Sequence, residues 1–483
     1  MRCLNIETET LKTTVQTCEH IHMVGIGGIG MSALARMLVS LGYRVSGSDI
    51  KAGRILGELE NIGIDVQVGH AAENIGDADC LVVSSSIHRD NPEFLAAKAL
   101  AIPVIHRGEM LGILMDAQRG IAVSGTHGKS TTTAMLAYIL EAARWDPSAY
   151  IGAIVPKYKA NAKTGFGDFF VSEADESDES FLRLNPEIAV ITNIDHDHMD
   201  HYRERKRLLK SFRRFLEKLP SKGFGVISAD DPGVADLGPL FGKRLVTFGI
   251  NNPADCMARD IYDNDFSSTF ELLWKGEVLG QITLRAPGRF NVENAITAAA
   301  VALSLGIDFT WIKAGLEEYR GISRRFEVHK NNGFMVVDDY AHHPTEIRAT
   351  LSGARASTNR RIIAVFQPHR YTRTHFLHDE YGHAFDDADE VIVTDIYSAG
   401  ENPIENVTSR LVVESIKKNR QSGVQVTELR DLDAVINRLK AEIRPGDIII
   451  TLGAGDVHKV AEALAGDTSL WPELQPAYHV QTG

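Results

Sequence analysis

A glycine loop followed by a lysine and a serine is the part of this sequence best suited to do chemistry. The loop at residues 125–130 ends in Lys129 and Ser130; it follows the apolar run 121–124 and precedes a segment with helical spacing. Its backbone N–H groups and the helix N-terminus attract phosphate oxygens, the lysine adds positive charge, and the hydroxyl can hold Mg²⁺. The loop therefore predicts a nucleoside triphosphate substrate. The alternative is a turn without a ligand, because Val123 stands where the usual pattern has its first glycine.

A second glycine motif lies nearer the N-terminus, where residues 25–30 fit the pattern GxGxxG after a predicted strand. Asp49 follows at the distance expected for a ribose-binding carboxylate. The pattern is typical of NAD or FAD binding, but any pyrophosphate can rest on such a turn. A nucleotide-sugar diphosphate therefore fits equally well, and a turn needed only for helix–sheet packing is the remaining alternative.

Acidic and histidine-rich segments follow two further predicted strands. Residues 173–179 contain five carboxylates. Glu173 comes directly after a strand and is expected to bind Mg²⁺ through oxygen, whereas most of the others are expected at the surface. Residues 193–201 contain three histidines and three aspartates. We expect one of these histidines to contact the metal, and no dedicated zinc site, because the spacing lacks a helical i, i+4 pair.

Two later motifs carry histidine and arginine at the ends of neighbouring strands. Residues 338–346 follow a strand and open a helix, with Pro344 suited to its first turn. Residues 367–373 follow the next predicted strand, where Arg370 and Arg373 are able to hold a carboxylate or a phosphate through paired N–H donors. The alternative is an ion-paired surface loop.

Length and composition bound the class of protein. A chain of 483 residues predicts about three domains of ~150 residues each. The net charge of −13 argues against a protein held on nucleic acid by phosphate contacts. The four cysteines are scattered, which fits a reducing compartment. The sequence has no secretory signal and no run of ~20 apolar residues, so we expect a cytoplasmic protein.

Short apolar runs alternate with helical patterns along the chain, which predicts an α/β fold with parallel, doubly wound sheets. Polar residues cluster just after strand ends, where open α/β sheets bind their ligands. Residues 245–284 are expected to form hairpins. The predicted strands are 21–25, 43–46, 80–83, 121–124, 169–171, 188–191, 224–227, 334–337, 362–365, 391–393 and 448–450.

Taken in order, these motifs resemble those of the Mur ligases of bacterial cell-wall synthesis. The resemblance covers nearly the whole chain from Ile21 onward, and several motifs in the same order are far more specific than any one alone. The segments that carry it are 24–32, 125–130, 173–178, 192–194, 197–200, 286–289, 324–327, 338–344 and 367–373.

The resemblance implies a three-domain α/β fold behind a flexible N-terminal tail at residues 1–20. Residues 21–118 would form a Rossmann-like domain that binds a UDP-sugar, which assigns the first glycine motif to UDP rather than NAD. Residues 119–322 would form a central P-loop-type, mononucleotide-binding ATPase domain. Residues 323–483 would form a C-terminal Rossmann-like domain that completes the active site.

The implied reaction is the ATP-dependent ligation of L-alanine to UDP-N-acetylmuramate through an acyl phosphate. Its products would be UDP-N-acetylmuramoyl-L-alanine, ADP and phosphate. The implied cofactors are ATP, as a co-substrate, and Mg²⁺. The expected partners are the two substrates, with no nucleic acid and no membrane, and the expected state is a monomer or a weak homodimer.

The resemblance also implies roles for individual residues. The catalytic candidates are Lys129, His198 and His342, of which either histidine is a candidate base for the amine. The implied ATP contacts are Gly125, Thr126, His127, Gly128, Lys129, Ser130, Thr131, Asn291, Asn294, Arg325 and Asp339. The implied Mg²⁺ ligands are Ser130, Glu173 and His198. The implied contacts for the UDP-sugar and alanine are Gly27, Gly28, Ile29, Gly30, Asp49, His70, Ser84, Ser85, Arg107, His342, His369, Arg370 and Arg373.

Three alternatives remain open at this point. A sister ligase would attach a preformed peptide to the same sugar nucleotide during wall recycling. An NAD-dependent oxidoreductase would account for residues 25–30 and Asp49, although the Lys129 loop argues against it. A non-catalytic nucleotide-binding scaffold would leave the histidines, aspartates and arginines at the strand ends without a purpose.

Overall fold

The computed structural model describes residues 13, 15–240, 242–419 and 424–467. The chain forms two compact units. The first comprises Met1–Tyr262, Thr269–Arg285 and Phe290–Ile322, and the second comprises Asp263–Ser268, Ala286–Arg289 and Ser323–Gly483. Most of the predicted tail at residues 1–20 lies outside the described residues, as do residues 468–483 of the predicted C-terminal domain. In the described part of the chain, no helix is long and apolar enough to cross a membrane.

The first sheet has five parallel strands in the order β3-β2-β1-β4-β5. Strand order reverses beside β1, so the glycine turn after β1 lies at a topological switch point, where sheets of this kind bind ligands. The strands are β1 (His20–Val24), β2 (Arg44–Asp49), β3 (Asp65–Val68), β4 (Cys80–Val83) and β5 (Val104–His106). The helices are α1 (Ile29–Ser40), α2 (Arg54–Glu60), α3 (Pro92–Ala99) and α4 (Arg107–Met115), with a 3₁₀ helix at Ala72–Ile75.

The second sheet has ten strands in the order β15-β14-β13-β12-β11-β10-β6-β9-β7-β8. Its central strand β6 pairs in parallel with β10 and β9. The strands are β6 (Arg119–Ser124), β7 (Ser148–Val155), β8 (Ala160–Lys163), β9 (Phe169–Glu173), β10 (Ile188–Ile191), β11 (Phe224–Ser228), β12 (Arg244–Gly249), β13 (Cys256–Asn264), β14 (Ser267–Trp274) and β15 (Glu277–Leu284). The helices are α5 (Lys129–Ala142), α6 (Met199–Tyr202), α7 (Arg205–Glu217), α8 (Pro232–Ala235), α9 (Arg289–Ser304) and α10 (Phe309–Glu318), with a 3₁₀ helix at Ser180–Arg183.

The hairpin prediction for residues 245–284 is wrong at its start. Strands β12 and β13 run parallel, with Phe248 opposite Cys256. The Asp230 carboxylate accepts the N–H groups of Ile250 and Asn252 at 2.6 and 2.7 Å, which holds the connection in a wide turn instead of a hairpin. The prediction is confirmed further along the chain. Strands β14 and β15 are neighbours in the sheet and are joined by only two residues, Lys275 and Gly276, which both have the positive φ that a two-residue hairpin turn requires.

The third sheet lies in the second unit and has the order β16-β17-β21-β18-β19-β20. Only the edge strand β16 is antiparallel to its neighbour. The strands are β16 (Glu327–Asn332), β17 (Phe334–Asp339), β18 (Ile362–Phe366), β19 (Glu390–Val393), β20 (Gln425–Glu428) and β21 (Ile448–Leu452). The helices are α11 (Pro344–Ser357), α12 (Tyr371–Leu377), α13 (Arg410–Lys418), α14 (Leu432–Glu442) and α15 (His458–Gly466), with a 3₁₀ helix at Glu380–His383.

The predicted α/β class is confirmed. Central strands such as β10 and β18 are buried along their whole length, as expected for parallel sheets covered by helices on both faces. In the second unit, alternate residues of the strands pack into two separate cores, one on each face. Pro344 begins α11, where a capping box joins His343 and Glu346, so the predicted helix start is also confirmed.

Candidate active site

The loop between β6 and α5 has the backbone that a phosphate cradle requires. Gly125 and Gly128 have φ values of 132° and 82°, which other residues rarely adopt. A Cβ at either position would also collide with a neighbour, Thr192 Oγ1 in one case and Asn294 Oδ1 in the other. The predicted ATP contact Asn294 thus supports the loop, and it also accepts a hydrogen bond from Thr132 Oγ1 at 3.2 Å.

The end of β10 fixes this loop in place. Asn193 Oδ1 accepts the His127 N–H at 2.8 Å, and Asn193 Nδ2 donates to the His127 carbonyl at 3.1 Å. Thr192 Oγ1 donates to the same carbonyl at 2.6 Å. Asp195 N in turn donates to Thr126 Oγ1 at 2.9 Å. Sequence reasoning gave Thr192 and Asn193 no separate role, although both lie in a segment that it singled out.

Lys129 lies inside the loop and is paired with a buried carboxylate. Its Nζ donates to the carbonyls of Gly125 and Thr126 at 2.6 and 3.1 Å and to Glu176 Oε1 at 2.9 Å. Burial lowers the pKa of Lys129, but the carboxylates of Glu176, Glu173 and Asp175 outweigh it and raise the pKa. The expectation that the residues after Glu173 lie mostly at the surface is wrong, since residues 174–179 are all buried or half-buried and the Glu176 side chain is only 1% exposed.

The three predicted metal ligands lie within or beside the same carboxylate run. Ser130 Oγ and Gly152 N donate to Glu173 Oε2 at 2.6 and 2.7 Å. His198 Nε2 lies 3.5 Å from Glu176 Oε1. Burial lowers the pKa of His198, yet the neighbouring carboxylates of Glu176 and Asp197 outweigh this and raise the pKa. Glu176 Oε2 is buried and has no hydrogen-bond partner among the described residues. Oxygen atoms dominate this set of side chains, and Glu176 Oε2 is available to a cation. Such a set fits Mg²⁺, which prefers oxygen ligands.

The predicted UDP-sugar contacts lie around the ends of β1, β2 and β4. Gly27 N donates to Asp49 Oδ2 at 2.9 Å, so the glycine turn and the predicted ribose carboxylate are adjacent. Ser85 Oγ lies 2.9 Å from His106 Nε2 and also donates to Asp178 of the acidic run. Gly28, Ile29 and Gly30 lie in or just after the turn, and Ser84 follows β4 directly.

Arg107 connects the glycine turn of the first sheet with the acidic run of the second, both within the first unit. Its guanidinium donates to the Tyr150 hydroxyl at 3.0 Å and to Asp175 Oδ2 at 3.3 Å. The Tyr150 hydroxyl donates to the Gly30 carbonyl at 3.2 Å. Sequence reasoning missed Tyr150, which lies in the unpredicted strand β7.

The second unit brings together several residues predicted to bind alanine. Arg373 Nη1 lies 3.1 Å from His369 Nδ1, and the rings of His342 and His369 are 5.7 Å apart. His369 stacks on Tyr397, another residue that sequence reasoning missed. Arg370 has a φ of 69° and donates its backbone N–H to the Tyr397 carbonyl at 2.8 Å.

The two predicted nucleotide contacts of the second unit lie close to one another. Arg325 Nη1 is 3.3 Å from Glu346 Oε1. Asp339 accepts the N–H groups of Phe326 and Ala341, both at 2.8 Å. Burial raises the pKa of Asp339 to about 6, and Arg325 opposes this shift.

Asp339 makes stability depend on pH in a defined direction. In the folded chain the pKa of the Asp339 carboxyl lies above its ordinary value of 3.8, so the protonated carboxyl stabilises the fold at low pH. This contribution to the free energy of unfolding is lost as the pH rises from about 4 to about 6. We expect wild type to lose up to about 3 kcal/mol relative to Asp339→Asn between pH 4 and pH 7. Thermal unfolding across this range measures the difference, with exposed Asp433→Asn as control. A pH-independent difference would contradict the assignment.

The family models match this architecture segment by segment. The Mur ligase family catalytic domain matches residues 20–119, the Mur ligase middle domain residues 123–302, and the Mur ligase glutamate ligase domain residues 324–455. The chain therefore belongs to the Mur ligase family, and the resemblance inferred from its motifs is confirmed.

Individual relatives sharpen this assignment. A UDP-N-acetylmuramate–L-alanine ligase from Geotalea uraniireducens is 48% identical over 92% of this chain and 97% of its own length. The solved structure of a UDP-N-acetylmuramate–alanine ligase from Thermotoga maritima matches with a TM-score of 0.79 at 30% identity, over 92% of this chain and 97% of its own. A murein peptide ligase from Psychrobacter arcticus shares the fold, with a TM-score of 0.68 at 24% identity over 93% and 99%.

Proposed function

We propose that this chain is an ATP-dependent ligase that joins L-alanine to UDP-N-acetylmuramate. The observation that carries the proposal is the phosphate loop, in which Lys129 lies beside the Ser130–Glu173 pair. The names of the relatives from Geotalea uraniireducens and Thermotoga maritima supply the two substrates. The product is used in peptidoglycan synthesis.

The proposed chemistry solves one difficulty, which is that a carboxylate is a poor electrophile toward an amine. The muramate carboxylate first attacks the γ-phosphorus of ATP, forming an acyl phosphate and releasing ADP. The amine of L-alanine then attacks the acyl carbon, and phosphate leaves. The first step depends mainly on positioning and on neutralising charge, and it needs little covalent help from the protein.

In the first unit, Lys129 stabilises the charge on the phosphoryl group during transfer. Ser130, Glu173 and His198 would hold Mg²⁺, which supplies positive charge to the phosphate oxygens when bound. The glycine turn after β1 and Asp49 bind the pyrophosphate and ribose of the UDP-sugar. The candidates to accept the amine proton are His342 and His198, and His198 can do so only when its ring is not bound to Mg²⁺.

In the second unit, the proposed roles divide between nucleotide and amino acid. Arg325 and Asp339 contact the nucleotide. The alanine contacts are His342, His369, Arg370 and Arg373, with the two arginines on the carboxylate. The domain boundaries that we propose are 21–118, 119–322 and 323–483; the ranges of the three family models support them.

Phosphate release from ATP tests the proposed function directly. Purified protein is supplied with UDP-N-acetylmuramate and MgATP, and amino acids are added one at a time. We expect release with L-alanine and the formation of one amide-linked product per ATP consumed. Release with a tripeptide but not with L-alanine would favour the sister ligase, and ligation without loss of ATP would exclude the proposal.

Arg370→Ala is expected to raise KM for L-alanine by about tenfold to a hundredfold, because each charge-assisted hydrogen bond to a carboxylate contributes about 1.5–3 kcal/mol. KM for ATP should change less than twofold. Initial rates with each substrate varied in turn measure both constants. A rise in KM for ATP with no change for alanine would assign Arg370 to the nucleotide instead.

A further inference from the structure

Glu93, in the first turn of α3, is a fully buried carboxylate to which the proposed mechanism gives no task. Its Oε1 accepts hydrogen bonds from Asn74 Nδ2 at 2.8 Å and from Ala71 N at 3.2 Å. Its Oε2 accepts from Ser48 Oγ at 2.6 Å and lies 3.2 Å from His22 Nε2. Each carboxylate oxygen thus faces two hydrogen-bonding groups.

This environment keeps Glu93 ionised. Burial raises its pKa, but the hydrogen bonds from His22, Ser48 and Asn74 outweigh burial and lower the pKa to about 2. A carboxylate of this kind only accepts hydrogen bonds. Every group that touches it must therefore direct a hydrogen toward it.

The charge of Glu93 determines where the hydrogen of His70 lies. A serine hydroxyl has one hydrogen, and Ser48 gives it to Glu93. Ser48 Oγ must therefore accept from its second neighbour, His70 Nδ1, at 2.9 Å. Glu93 Oε1, 3.4 Å from the same nitrogen, favours a hydrogen there as well. In the neutral ring, His70 Nε2 is left as an acceptor, and among the described residues it has no hydrogen-bond partner.

His70 also lies at the right edge of the sheet for a ligand. It follows β3 and Gly69, whose N–H donates to the Asp49 carbonyl at 2.7 Å. The carboxyl ends of parallel strands form the ligand-binding edge of open α/β sheets. The His70 side chain is 17% exposed, so one part of the ring is accessible while Nδ1 is engaged.

We propose that Glu93 is a positioning residue that acts through Ser48 to fix the Nδ1–H form of His70, so that Nε2 accepts a hydrogen bond from the uridine part of the substrate. This inference rests on the proposed function, which supplies the UDP-sugar. The uridine offers two kinds of donor, the imide N–H of uracil and the ribose hydroxyls. Recognition of the uridine through His70 would be set by a residue that never touches the ligand.

Glu93→Gln is the sharpest test, because a glutamine amide replaces one oxygen with an NH₂ group. In either orientation this NH₂ would face two groups that already direct hydrogens toward it. Ser48→Ala is the second variant, since it removes the acceptor for His70 Nδ1, together with one donor to Glu93, and leaves the Glu93 carboxylate in place. Exposed Glu73→Gln, in the neighbouring 3₁₀ helix, is the matched control.

Two measurements are made on the full-length protein. Histidine ¹⁵N spectra, assigned with His70→Gln, report which ring nitrogen carries the hydrogen. Calorimetric titration with UDP reports its Kd. We expect the Nδ1–H form in wild type and Glu73→Gln, its loss in Glu93→Gln and Ser48→Ala, and a Kd for UDP raised about tenfold in both. The Kd for ATP should change less than twofold.

Titration of wild type and of His70→Gln with 3-methyl-UDP and with 2′,3′-dideoxy-UDP identifies the donor. For the analogue that lacks this donor, the loss of affinity relative to UDP should be smaller in His70→Gln than in wild type, whereas for the other analogue it should be the same in both proteins. An Nε2–H ring in wild type overturns the proposal. So does unchanged UDP binding in whichever of the two variants folds, or a change in affinity for both analogues that is the same in wild type and in His70→Gln. Failure of the proposed function would be seen separately, as wild type that binds UDP but does not ligate.

Discussion

Lys129→Ala should lower kcat by about 10²–10³-fold or more, because it removes a fixed positive charge from the phosphoryl group in transfer. The structure adds a second effect that the sequence did not suggest. Glu176, 1% exposed and 2.9 Å from Lys129 Nζ, would be left buried without its cation. Losing one partner of a buried pair costs about 3–5 kcal/mol. We therefore expect a lower melting temperature together with the loss of turnover.

The double variant Lys129→Ala, Glu176→Gln separates these two effects. It removes the unpaired charge, so it should recover most of the melting temperature while remaining inactive. Steady-state phosphate release and thermal unfolding measure both quantities in the wild type, the single variant and the double variant. Normal turnover in Lys129→Ala would exclude the cradle role. A double variant as unstable as the single one would exclude the pairing as the source of the instability.

Glu173→Gln should lower activity nearly as much as Lys129→Ala does, and it should destabilise the fold far less. Glutamine keeps an oxygen that accepts from Ser130 Oγ and Gly152 N, but it has no negative charge to offer a cation. We expect the Mg²⁺ concentration for half-maximal rate to rise at least about tenfold. We also expect kcat at saturating Mg²⁺ to fall by about 10²-fold, the loss typical of one electrostatic contact.

Glu179→Gln is the matched control for this prediction. Glu179 belongs to the same acidic run, but its carboxylate accepts from Ser211 Oγ and faces Arg207, away from the loop. Its Mg²⁺ dependence and kcat should equal those of wild type. If Glu173→Gln kept the wild-type Mg²⁺ dependence, or if Glu179→Gln shared its defect, Glu173 would not be the metal ligand.

The sequence by itself determined the features that depend on neighbours along the chain. Strands β4 and β10 coincide with their predicted apolar runs, and α5 begins at Lys129 just after the glycines. Each of these rests on local physics: buried parallel strands are continuously apolar, and glycine and proline limit the backbone. The order of such motifs was sufficient to indicate the family.

Only the tertiary structure decided which side chains became partners. Lys129 and Glu176 are 47 positions apart, and Arg107 and Tyr150 are 43 apart. An acidic run resembles a solvated surface until a cation from another element covers it, which is why Glu176 was expected at the surface. Strand β7, with Gly152 in its middle, lacks the periodicity that reveals a strand. The burial of a charged side chain and its pairing depend on contacts between distant segments, and no local pattern in the sequence encodes them.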